Sequence, residues 1–88
     1  MKETTNTPGI RLKEGLVPDA KTAIAIAVAV WTPVYGAEQI AAEKPYNVML
    51  KSGKWTVTGS VSPGRVGGVA TAVIEKSNAR VVKIYHTK

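Results

Sequence analysis

The sequence predicts an α+β fold: an N-terminal helix plus a short helix packed on a four-stranded antiparallel sheet. Three observations carry this prediction. Ala23–Gly36 reads AIAIAVAVWTPVYG, with its bulky residues three and four positions apart, the spacing of a helix. From Tyr46 onward the period drops to two, the alternation of strands. The strands are separated by two tight-turn sequences, KSGK and SNAR, with the Pro- and Gly-rich stretch SPGRVGG between the two pairs.

Composition narrows the chemistry. The chain has 88 residues, room for one domain, and chains of this size bury only about 60–70 % of the surface they expose when unfolded. There is no cysteine, so disulfides, thiolate zinc sites and thiol nucleophiles are excluded. Twelve Lys and Arg against six Asp and Glu give a net charge of +6. This balance favours an acidic partner or nucleic acid. The basic residues are scattered, however, and form no run that could track a phosphate backbone.

The first element has to be distinguished from a membrane span and from an export signal. A span needs roughly 20 consecutive apolar residues, and the uncharged run Ala23–Trp31 is far shorter, so no membrane span is expected. A signal peptide would start with a basic leader, whereas this run follows Glu14 and Asp19. A helix fits better. Asp19 follows Pro18 and is placed to cap the free amides of a helix starting at Ala20. Ala20, Ile24, Ala27, Val28, Trp31 and Tyr35 form one stripe, and Ile26 and Val30 lie opposite it, which predicts a helix enclosed on both sides. Pro33 should kink or end it, and Gly36 suits the terminus.

Residues 1–17 contain Pro8, Gly9 and Gly15 and have no sustained period, so they are expected to be a flexible N-terminal arm, with the domain spanning 18–88. AEQIAAEK supplies about two helical turns with Ile40 inward, ended by Pro45. Tyr46, Val48 and Leu50, then Trp55, Val57 and Val61, make the inner face of a first hairpin. Ala70, Ala72 and Ile74, with Val82, Ile84 and His86, make that of a second.

Three blocks, VPDAKTAIAIAVAVWTPVYG, EKPYNVMLKSGKWTVTGSV and GGVATAVIEKSNARVVKIYHTK, cover nearly everything after residue 16. Together they resemble the small NTF2-fold immunity proteins of bacterial polymorphic toxin systems. The run Asp-Ala, Ala-x-x-Ile-Ala, Val-Trp-x-Pro-x-Tyr-Gly is the most specific part. The chain departs from that family at Lys21, where an acidic residue is commoner, and at its end, HTK where HGK is commoner. The resemblance implies a small NTF2- or cystatin-like fold and a non-enzymatic protein without a cofactor that binds and blocks a cognate toxin. It leaves the toxin unspecified. The compartment is open as well: bacterial periplasm if a signal peptide was removed, cytoplasm otherwise.

The residues agree with a binding role. One histidine and one aspartate, the latter needed as a cap, cannot furnish a catalytic triad or a metal site. The space between helix and sheet is expected to be filled by Ile24, Val28, Trp31, Val57, Ala72, Ile74 and Ile84. GRVGG lacks the G-K-[ST] ending of a phosphate loop. The outward sheet face carries Met49, Val69, Val73, Val81, Lys51, Lys83 and Tyr85 among threonines, a mixture suited to a partner or to a homodimer. Lys51, Arg65, Lys83 and Tyr85 are the expected contact residues, because Arg and Tyr dominate interface energetics and lysines steer encounter. Two other functions stay open on sequence alone: a small basic nucleic-acid-binding module and an NTF2-like ligand-binding domain. The first would need aromatics facing solvent, yet Trp31 and Trp55 fall on inward positions, so no nucleic-acid partner is expected.

Overall fold

The computed structural model describes residues 13–64 and 67–87. In chain order the elements are α1 (Ala20–Tyr35), α2 (Ala37–Ala41), β1 (Asn47–Lys51), β2 (Lys54–Thr58), β3 (Ala70–Glu75) and β4 (Val81–His86). The strands form one antiparallel sheet in the order β1-β2-β3-β4, each paired with its neighbour in sequence. The fold is therefore the expected one: two helices, the second short, against one four-stranded sheet.

Asp19 starts α1 as its sequence position requires. Its carboxylate accepts the Thr22 amide at 2.9 Å and the Thr22 hydroxyl at 2.6 Å. The hydroxyl bond, then the amide bond, hold the Asp19 carboxyl below its usual range. The helix does not end at Pro33. It continues to Tyr35 and stops at Gly36, whose φ of +94° a residue with a side chain rarely adopts.

Ala23, Ala27 and Trp31 are buried, and Ile24, Ile26, Val28 and Val30 pack half-buried on either side of them. The expectation of an enclosed helix is corrected here. Ala25 and Ala29 are exposed on the side of α1 away from the sheet, and Val34 is exposed at the C-terminal end of the helix. One sheet covers one helix face, and alanine, the best helix former, exposes little apolar area when left in water.

Val48, Val57, Ala72 and Ile84 lie side by side across the sheet, as do Leu50, Trp55 and Ile74. Trp31, Val57, Ala72 and Ile74 fill the space beneath α1, with Ile24, Val28 and Ile84 packed against them. Both indoles are inward and both are satisfied: Trp31 Nε1 donates to the Thr71 carbonyl at 3.2 Å, and Trp55 Nε1 to the Val17 carbonyl at 2.8 Å. Two inward assignments fail at the rim. Leu50 and Val61 are 46 % and 44 % exposed, because Leu50 is on the outermost strand and Val61 lies beyond the end of β2.

A bulge corrects the second hairpin. Val73 faces Lys83, but Ile74 faces Val81, so β4 carries one extra residue at Val82. Below that point the alternation reverses its phase. Val81, expected outside, packs on the core, and Val82 is not among the residues that do.

The folded body also reaches further back than residue 18. The Leu16 and Val17 amides donate to the Ser77 and Lys76 carbonyls at 3.1 and 3.0 Å, and Val17 is fully buried. At Gly15 a Cβ would lie 2.5 Å from the Lys76 carbonyl oxygen, so only glycine lets the chain cross the β3–β4 turn so closely. Residues 1–12 of the expected arm lie outside the described residues.

Candidate partner-binding surface

Alternation sends every second strand residue to the side of the sheet away from α1. One row there is Asn47, Thr58, Thr71 and Tyr85, and the next is Met49, Thr56, Val73 and Lys83. Lys51, Lys54 and Glu75 form a third. Met49 is 63 % and Tyr85 43 % exposed, and Lys51 and Lys83 are exposed too. Charge on this face is mostly positive, since the Glu75 carboxylate is shared with the Arg80 guanidinium at 3.4 Å.

Three of the four expected contact residues can therefore be placed. Lys83 and Tyr85 are neighbours on β4, with the Lys83 ammonium 5.6 Å from the Tyr85 ring centre, within cation–π reach. Lys51 lies on β1 at the opposite edge, three strand spacings or about 14 Å away. The structure thus gathers Lys83 and Tyr85 and leaves Lys51 apart. Arg65 lies outside the described residues.

A second polar feature, absent from the sequence reading, sits where β2 and β3 diverge. Tyr35, Gln39, Ala42, Glu43, Ser60–Ser62, Gly67, Gly68 and His86 line a cleft of about 360 Å³. In it Glu43 and His86 pair, with Oε2 and Nε2 at 2.9 Å. Glu43 is 3 % exposed. Its Oε1 accepts the Ala70 amide at 2.7 Å and its Oε2 the Gln39 side chain at 2.8 Å. Gly59 allows this approach, because a Cβ there would lie 2.3 Å from Glu43 Oε1.

The protonation states follow from the partners. His86 Nδ1 faces the Thr87 carbonyl at 2.7 Å and Nε2 faces a carboxylate, so the ring satisfies both acceptors only as imidazolium. The Glu43 bond raises the His86 pKa against the opposing effect of burial. Burial pushes the Glu43 carboxyl up, yet the bonds from Ala70, Gln39 and His86 outweigh it and hold it below its ordinary value. Burial, with the nearby Glu43 charge, raises Tyr46.

This pair is a fastener. Glu43 ties the end of α2 to the start of β3 and the end of β4, and its acceptor atoms are engaged in doing so. His86 has both ring nitrogens occupied and its ring against Tyr35, centres 5.2 Å apart. Among the described residues no three His, Cys, Asp or Glu side chains are grouped to hold a metal, and no helix is long and apolar enough to cross a membrane.

Comparison with known proteins agrees with this architecture. No curated protein and no solved structure matches the chain. A family model described as NTF2 fold immunity protein matches residues 22–88, from the first turn of α1 to the last residue. That span takes in the helix, both hairpins and the loop between them, which are the parts that carry the resemblance in sequence. The chain belongs to the NTF2 fold immunity protein family.

Proposed function

We propose that this protein binds a cognate bacterial toxin and neutralises it by occupying its surface, without chemistry of its own. The observation that carries this reading is the family match across 22–88. The sheet supports it by offering a rigid, mostly basic outer face on which Tyr85 stands exposed beside Lys83. A tyrosine with one end apolar and one end polar, held on a strand, is a good interface anchor. The cleft supports the same reading, because the atoms of Glu43 and His86 that could act as acid and base already bond each other and the backbone.

In this proposal an acidic toxin surface meets Lys51, Lys83 and Tyr85, with Arg65 from the β2–β3 loop as a further anchor. The lysines act mainly on encounter and the tyrosine on residence. Stopped-flow binding to the co-encoded toxin separates the two. Reversing the charge at Lys51 and Lys83 together should slow association about tenfold at low salt and flatten its salt dependence. Tyr85→Ala should instead speed dissociation about tenfold or more. Wild-type rates in both variants, and in Arg65→Ala, would move the interface off this face.

A further inference from the structure

We propose that the chain self-associates through β1, two copies pairing edge to edge about a two-fold axis at Met49. The argument begins with the hydrogen-bonding pattern of the first hairpin. Ser52 and Gly53 both have positive φ, 52° and 74°, so the loop is a two-residue type I′ turn closed by the pair Lys51 and Lys54. That closing pair exchanges both of its backbone bonds. Hydrogen-bonded pairs then recur at every second residue, which directs the amides and carbonyls of Met49 and Asn47 toward β2. The amides and carbonyls of Val48 and Leu50 point the other way, along an edge that no other described strand covers.

An antiparallel copy brought against that edge meets its own complement. With Met49 opposite Met49 of the second copy, Val48 lies opposite Leu50, and each of these two pairs exchanges two backbone bonds. Both faces of the junction then match. On the inner face Leu50, 46 % exposed, is covered by a valine that already packs on a core. On the outer face the two Met49 side chains, each 63 % exposed, meet at the axis. Non-hydrogen-bonded pairs bring Cα atoms to about 4.5 Å, so these flexible side chains touch along their length.

Charge permits the same register. Lys51 falls opposite Asn47, so no two like charges oppose each other along the shared edge. The edge also lacks the devices that usually prevent pairing: β1 has no proline, no bulge and no charge within its inner face. The opposite edge has two of them. β4 is broken by the bulge at Val82 and exposes Lys83 in mid-strand. Pairing through β1 joins two four-stranded sheets into a continuous one and leaves Lys83 and Tyr85 at its outer ends, clear of the junction.

Sedimentation of the purified chain alone, across a dilution series, tests this. The proposal expects a reversible monomer–dimer equilibrium. Met49→Lys places two ammonium groups opposite each other and should weaken the dimer about tenfold or more while leaving the circular dichroism spectrum unchanged. Met49→Cys should form an intermolecular disulfide under mild oxidation, since the expected Cα separation lies within the range of about 4.4–6.8 Å that the bond needs. Leu50→Cys should not, its two Cα atoms being roughly 9 Å apart in this register. A monomer at every concentration would overturn the proposal and leave the edge to a strand of another protein. Crosslinking at Leu50→Cys but not at Met49→Cys would overturn the register.

Discussion

Trp31→Ala should cost about 3–5 kcal/mol, comparable to the whole stability of a domain this small. Trp31 is the largest fully buried side chain and fills the space between α1 and the sheet. Its ring also lies 5.6 Å from that of Tyr46, and its indole N–H satisfies the Thr71 carbonyl. Truncation removes the apolar contacts and leaves that carbonyl with one partner fewer in a region closed to water. The same core is rich in alanine, with Ala27 one turn before Trp31 on α1 and Ala70 and Ala72 on β3, and alanine cannot extend to fill the space. Urea denaturation followed by circular dichroism measures the outcome. A cooperative transition near the wild-type midpoint would show that the core does not depend on this residue.

The second large effect concerns Glu43. Glu43→Ala should destabilise by about 3 kcal/mol, because it leaves the Ala70 amide and the His86 imidazolium without their acceptor. The pair also sets a pH window. The Glu43 pKa is lowered on folding, so its contribution is present above the ordinary value of 4.5 and is lost as pH falls through the lowered one. The His86 pKa is raised, so its contribution is complete below 6.5 and is lost as pH rises through the raised one. Thermal midpoints should be highest between those limits. His86→Gln should remove the alkaline decline and keep the acid one, and the chain has no other histidine to share the effect. An unaltered alkaline decline in His86→Gln would place the titrating group elsewhere.

Local chemistry made much of the fold legible. Asp19 before Ala20, Gly36 after Tyr35 and KSGK between two alternating runs each specify their structure within a few residues, and each stands where the sequence put it. What escaped depends on longer distances. The Val82 bulge shifts the phase of β4 although the residues there, RVVKIY, read as plain alternation. Val17 looks like the end of a polar arm, and only its contacts with Lys76 and Trp55, both far along the chain, place it in the core. Glu43 is the strongest example. Its partners Ala70 and His86 are 27 and 43 residues away, and no spacing around EKPYN marks it as buried.

The proposed contact residues were less legible than the core, for a related reason. Alternation sends Lys51, Lys83 and Tyr85 outward, yet only the strand order shows that two are adjacent and the third lies across the sheet. The same order shows which backbone edge is open. Surface roles depend on that arrangement, whereas the burial of Trp31 or Val57 is already implied by periodicity.

In the proposed function this chain is the neutralising partner of a toxin. The decisive experiment is growth of cells that express the proposed cognate toxin, with and without this protein, together with isolation of the complex from the protected cells. A toxin-binding role without an acid–base step should restore growth and give a stoichiometric complex that persists in the His86→Gln variant. Protection that required His86, with no complex recovered from the protected cells, would contradict it and point to a protein that acts by catalysis.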